Sequence, residues 1–259
     1  TEQQELQITL TPSAYQVGPR QTVTYTVEAT DHSGQPVEAE ISLAMVDKAI
    51  YALAGPQQTS MLESFYHRRG VGVATSVVLA ASLDRLNQQL AERAKGGGGG
   101  GPGEAPFIRE EFPDIAFWKA DVRTDRDGKA QVIVTLPDNL TTWRMNAKAL
   151  TTDTKVGETE DDIVSSLDLM VRPVLPRFFV EGDEADIAAI VHNNTDRPFE
   201  VRVSLEATGV EVGSEALQEI RIPAHSLQRV TWPVIVSREA DEATFLFNAS
   251  GGGLADAVR

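Results

Sequence analysis

Glu63 and His67 sit four residues apart, and a carboxylate beside an imidazole is the kind of pair that can hold a metal ion. The HExxH pattern of metalloproteases is absent around them, and His32, His192 and His225 are scattered without metal-ligand spacing. "DRDGK" (125–129) begins like a calcium loop but lacks the third acidic ligand and the glutamate at the twelfth position, so it reads as a turn. "GETEDD" (157–162) has the charge to attract a cation and reads as an acidic, solvated loop. Six consecutive glycines, Gly96 to Gly101, do not end in the GK[ST] of a phosphate-binding loop, and no G-x-S-x-G elbow occurs. The chain has no cysteine, which removes disulfides, thiolate metal sites and a cysteine nucleophile together. The expectation is a protein that is not an enzyme and carries no cofactor and no metal.

The elements around these residues are strands. Leu6, Ile8 and Leu10 alternate with polar residues, as do Val23, Tyr25 and Val27, then Ile41, Leu43 and Met45. The rhythm returns at Val132, Val134 and Leu136 and again at Trp143, Met145, Ala147 and Ala149. A period of two in β-branched and aromatic residues marks half-buried antiparallel strands. Asp127-Gly128 reads as the turn of a hairpin, with Trp118 and Trp143 on either side of it as core residues. About seven further strands fit between 168 and 249, the number a small sandwich needs.

Three strands before residue 56 are too few for a sandwich, and so are the three or four between 113 and 168. Together they make one. The reading is all-β: a discontinuous domain of residues 1–56 plus 113–168, an insert of residues 57–112, and a second sandwich at 169–259. Within the insert, Leu83, Leu86 and Leu90 allow a short amphipathic helix over 81–95. The glycines after it have the weakest tendency to order, and a loop this long inside a compact domain is functional or disordered.

Acidic and basic residues balance in the insert, so the net charge of −15 lies on its flanks. A diffuse acidic surface argues against nucleic-acid and anionic-membrane partners. No apolar run approaches the ~20 residues that span a bilayer, and "TEQQELQITL" has neither the basic start nor the apolar stretch of a signal peptide. "NLT" (139–141), "NNT" (193–195) and "NAS" (248–250) match glycosylation sequons, which matter only in a eukaryotic secretory pathway.

Three stretches are more distinctive: "VDKAIYAL" (46–53), "FPDIAFWKADVRTDRDGKAQVIVTLPDNLTTWRMNAKAL" (112–150) and "LPRFFVEGDEADIAAIVHNNT" (175–195). Phe112, Pro113 and Trp118 form one proline–tryptophan motif, and Pro137, Asp138, Thr141 and Trp143 form a second. Asp125 and Gly128 lie between them, and Pro176, Phe178, Gly182 and Asp183 follow. In this order the motifs resemble the α2-macroglobulin family, particularly its bacterial members.

The resemblance implies a fragment holding two fibronectin-like macroglobulin β-sandwiches, the first interrupted by a protease-sensitive bait region. Cleavage of the bait then triggers a rearrangement that traps the protease. The bait residues implied are Phe65 and Tyr66 for chymotrypsin-like pockets, Ala80 for elastase-like pockets, and Arg68, Arg69, Arg85, Arg93 and Lys95 for trypsin-like pockets. Implied partners are endopeptidases of several classes and the other domains of the full-length protein. The family's thioester needs a cysteine, so these residues imply no covalent capture. The implied location is the periplasm, lipid-anchored at the inner membrane in the full-length protein, with secretion as the alternative. The competing reading is a structural or adhesive tandem of β-sandwiches with a flexible loop.

Overall fold

The structure, a computed structural model, describes residues 2–54, 60–66, 108–213 and 215–259. The helix expected over 81–95 and the glycine run lie outside the described residues.

In chain order the first strands are β1 (Leu6–Pro12), β2 (Gln16–Val17), β3 (Thr22–Asp31) and β4 (Glu40–Asp47). Two short helices follow, α1 (Lys48–Ala54) and α2 (Met61–Tyr66). Then come β5 (Ile108–Arg109), β6 (Ile115–Arg123), β7 (Lys129–Thr135), β8 (Thr142–Leu150) and β9 (Val156–Ser165). The last group is β10 (Leu169–Val174), β11 (Glu184–Asn193), β12 (Phe199–Thr208) and β13 (Val210–Val212), then β14 (Leu217–Ile222), β15 (Ser226–Val236), β16 (Thr244–Gly251) and β17 (Leu254–Val258).

The first sandwich faces a sheet of order β1-β3-β7 against one of order β2-β9-β8-β4-β6. Its core holds every residue that the alternation singled out: Leu6, Ile8 and Leu10 from β1, Val23, Tyr25 and Val27 from β3, and Ile41, Leu43 and Met45 from β4. Val132, Val134, Leu136, Trp143, Met145, Ala147 and Ala149 complete it. Strands on either side of the insert therefore share one apolar interior. Burial of apolar area, worth about 25 cal/mol per Å², is what holds them together. Where β1 crosses β9, Gly157 lets the backbones touch: a Cβ there would stand 1.9 Å from the Leu6 carbonyl oxygen.

The second sandwich faces β10-β11-β15-β13 against β14-β12-β16-β17-β5. Trp232 and Phe247 meet edge-on at its centre, ring centroids 5.8 Å apart and 62° between planes. β5 comes from within residues 57–112, yet it pairs in parallel with β17, Ile108 opposite Ala257 and Arg109 opposite Val258.

Three expectations need correction. The 125–129 turn joins no hairpin: β6 pairs with β4 and β7 pairs with β3, so the turn carries the chain from one sheet to the other. It is closed by Asp125 N–H to the Lys129 carbonyl at 2.9 Å, with Gly128 at φ 70°. The Asp125 carboxylate accepts the N–H groups of Asp127 and Lys129, both at 2.9 Å, so local turn chemistry occupies it. "GETEDD" is not a loop but the body of β9, paired along its length with β8. Its charges are accommodated because the outward positions of β8 carry Arg144 and Lys148 opposite Asp162 and Glu158. Finally, Trp118 is not in the core. It is 68% exposed, because it lies opposite Ala44 on the outward face of β4, while Phe117 opposite Met45 packs inward.

Candidate functional site

The chain leaves the first sandwich at the end of β4 and returns to it at the start of β6, which lie side by side in the same sheet. There the Asp47 N–H donates to the Asp114 carbonyl at 2.9 Å. The Asp47 carboxylate does two further things. It accepts the Thr141 hydroxyl at 2.9 Å, and it caps α1 by accepting the Ala49 N–H at 2.9 Å. Thr141 belongs to the second proline–tryptophan motif, so that motif helps to close the neck of the excursion.

On the outgoing side, α1 lies against the outward face of β8 and β9. The Asn146 amide donates to the Tyr51 hydroxyl, and the Arg144 guanidinium sits 5.6 Å from the Tyr51 ring centroid. Asp162 receives Arg144 Nε at 2.8 Å and Lys48 Nζ at 2.6 Å. The Arg144 hydrogen bond, opposed by burial and helped by Lys48, holds the Asp162 carboxyl below the usual carboxylate range. Its neighbour Asp161 points the other way along the pleat. Burial raises its pKa, offset in part by the Tyr25 hydroxyl, which donates to it at 3.2 Å.

α2 is held more lightly. Ser60 Oγ caps it at the Glu63 N–H, 3.1 Å away, and Glu158 Oε1 accepts the Met61 N–H at 3.1 Å. The Tyr66 hydroxyl donates to the Thr154 carbonyl, which a turn at the end of β8 presents. None of its side chains is buried. Phe65 and Tyr66, the first pair of expected bait residues, are the last two residues of this helix, and Phe65 is 64% exposed. Arg68, Arg69, Ala80, Arg85, Arg93 and Lys95 lie outside the described residues.

The returning side is built differently. Arg109 is buried, and its guanidinium meets the Asp256 carboxylate by two parallel bonds, Nε to Oδ1 at 2.8 Å and Nη2 to Oδ2 at 2.9 Å. Nη2 also donates to the Val171 carbonyl at 2.6 Å, and the Val171 N–H donates to Asp256 Oδ2 at 2.8 Å. The two side chains are 5% and 1% exposed. One residue later the chain crosses to the first sandwich. The N–H groups of Glu110 and Glu111 both donate to Asp138 Oδ2, at 2.8 and 3.0 Å, and the Asp138 N–H returns a bond to the Glu111 carbonyl. Arg20 completes the clamp with two bonds to the same carboxylate, 2.7 and 2.9 Å. Burial pushes the Asp138 pKa up, but the Arg20 hydrogen bond and the two backbone N–H groups outweigh it and leave the carboxyl below its ordinary value.

Arg109, Asp138 and Asp256 therefore tie residues 108–111 to both sandwiches. Asp138 was visible in the sequence as a motif residue without a role. Nothing in the sequence pairs Arg109 with Asp256, which stand far apart along the chain. Among the described residues no three His, Asp or Glu side chains converge as a metal site would require.

Residues 115–205 match the sequence model of the Alpha-2-macroglobulin family. An alpha-2-macroglobulin homolog of Nostoc sp. is 26% identical over 212 residues, covering 80% of this chain and 11% of that protein. One from Deinococcus radiodurans is 30% identical over 206 residues, covering 80% of this chain and 19% of that protein. The crystal structure of trypsin activated alpha-2-macroglobulin from Escherichia coli superimposes with a TM-score of 0.75 at 18% identity, over 100% of this chain and 18% of that one. The chain thus spans less than a fifth of the length of these relatives. With the proline–tryptophan motifs, the paired sandwiches and the matched residues all in one order, the chain belongs to the alpha-2-macroglobulin family.

Proposed function

We propose that this chain is part of a bacterial, broad-spectrum endopeptidase inhibitor in which residues 57–112 are a bait whose cleavage triggers a conformational change that traps the protease. Residues 1–56 plus 113–168 and residues 169–259 are then its two macroglobulin domains. The observation that carries the reading is the neck at Asp47 and Asp114. A chain that leaves and re-enters one sheet between neighbouring strands can be cut anywhere in between without unpairing a strand of the first sandwich.

Sequence composition supports the breadth of the specificity. Aromatic, basic and small residues alternate along the insert, from Phe65 and Arg69 to Ala80 and Lys95, so proteases with unlike pockets each find a bond. A relative described as trypsin activated shows that one such protease acts on a member of the fold. Trapping requires the other domains of the full-length protein, so this chain alone is a substrate. Endopeptidases of several classes are its partners, and the periplasm, with a lipid anchor on the full-length protein, is its place.

Limited proteolysis with trypsin, chymotrypsin and elastase, read by intact mass, tests the reading. All three are expected to make their first cuts between residues 57 and 112. Arg123, Arg144, Arg172 and Arg202 lie on strands, where cleavage first requires local unfolding. First cuts scattered over 1–56 or 169–259 would favour the structural or adhesive alternative.

A further inference from the structure

We propose that Arg109 is a locked arginine, so that the two ends of a cut insert have opposite fates: the stump on the α2 side is trimmed back, while trimming on the other side stops at the Arg109–Glu110 bond. The proposal rests on the bait reading for its setting. Composition alone makes Arg109 a trypsin site as good as any in residues 57–112. The structure surrounds that bond from three directions. Its preceding residue pairs with β17, its own side chain is enclosed by Asp256 and Val171, and the next two N–H groups are bonded to Asp138.

A protease binds its substrate as an extended strand running several residues to either side of the cut. To offer residues 107–112 in that form, the chain must withdraw a buried guanidinium and leave the Asp256 carboxylate enclosed without its cation. It must also free Glu110 and Glu111 from the first sandwich. The open form is correspondingly rare, and cleavage follows its population.

The α2 side lacks such a barrier. Six residues are too few for a helix to persist in water unless it is docked. Its docking includes the Met61–Glu158 and Tyr66–Thr154 bonds at an exposed edge, and none of its residues is buried. The Phe65–Tyr66 bond is therefore reached by a small opening, and it becomes a secondary site for chymotrypsin-like enzymes.

To test this, Gly96–Gly101 is replaced by the recognition sequence of a site-specific viral protease and the protein is nicked there. Trypsin or chymotrypsin is then added at low ratio, and the new termini are followed by intact mass. Chymotrypsin is expected to trim the first piece to Phe65 or Tyr66. Trypsin is expected to cut after Arg109 at least about a hundredfold more slowly than in a free peptide of residues 104–116. A piece beginning at Glu110 that appears at the free-peptide rate overturns the proposal, as does a Phe65–Tyr66 bond that outlasts the Arg109–Glu110 bond.

In the Asp256→Asn protein, cleavage after Arg109 is expected to rise about tenfold or more; an unchanged rate counts against the lock. Because that change removes a buried charge, the ratio in the unsubstituted protein is read first and decides by itself. The engineered nick makes the outcome independent of where natural proteases begin, so first cuts outside 57–112 in the unmodified protein would sink the bait reading and leave this one standing.

Discussion

Asp47 and Asp114 are joined by a backbone hydrogen bond of 2.9 Å, N–H to carbonyl, and between them the chain makes its entire excursion from the first sandwich. On one side of that bond β4 runs into the sheet between β8 and β6, so the N-terminal piece of a cut chain keeps its place among strands of the C-terminal piece. After a single cut between residues 67 and 107 the two pieces are expected to co-elute on gel filtration in native buffer and to separate only in denaturant. Separate elution without denaturant would mean that the shared core of Ile41, Leu43, Met145 and Ala147 does not hold them.

The two tryptophans of the paired motifs make a matched test of burial. Trp143 is fully enclosed, and Trp143→Ala is expected to cost about 3–5 kcal/mol of unfolding free energy. Trp118→Ala is expected to stay within about 0.5 kcal/mol, because its ring projects into solvent. Urea unfolding of the two variants checks both values, and similar losses would contradict the register of β6 on β4.

Asn193 is enclosed at the end of β11, where its amide donates to the carbonyls of Arg197, Ile222 and Pro223 and its oxygen accepts from Thr195. Asn193→Ala is expected to cost about 2–3 kcal/mol, since it leaves several polar groups short of a partner in a dry site. Thermal unfolding measures it. The same enclosure means that expression in a eukaryotic secretory pathway should leave this sequon unmodified, which peptide mapping would show.

Asp161 offers a prediction in pH. Burial raises its pKa, so between the ordinary value near ~4 and the raised one the fold binds the proton more tightly than the unfolded chain does. The contribution of this group is then fully present below the unfolded value and is lost as pH rises through the folded one. Asp161→Asn removes the charge, keeps an acceptor for the Tyr25 hydroxyl, and relieves the repulsion from Asp162. It is expected to raise the denaturation midpoint at pH 7, with the advantage shrinking as pH falls through the raised value and gone by about pH 4. A variant less stable at pH 7 than the unsubstituted protein would show that the carboxylate is favourable there.

The core was legible because alternation is a local signal. Each of Leu6, Val23, Ile41, Val132 and Trp143 announces its face through its immediate neighbours, and each is buried where that rhythm places it. Trp118 was misjudged for a reason the rhythm does not contain. β6 is an edge strand paired with β4 through register shifts near Leu43 and Val46, and only that pairing decides which of Phe117 and Trp118 turns inward. The acidic run 157–162 hid a strand because Glu158, Glu160 and Asp162 face solvent and basic partners that lie elsewhere in the sequence.

By itself the sequence determined the all-β character, the buried face of most strands on both flanks and the motifs that mark the family, because all of these are written in residues close together along the chain. Tertiary structure alone decided how the insert is held. Arg109 finds Asp256, and Asp138 finds Arg20, Glu110 and Glu111, only after two sandwiches have folded and brought distant segments within 3 Å. Whether a charged side chain is a solvated surface group or a buried anchor depends on what closes over it. That is a property of packing between segments, which no local pattern carries.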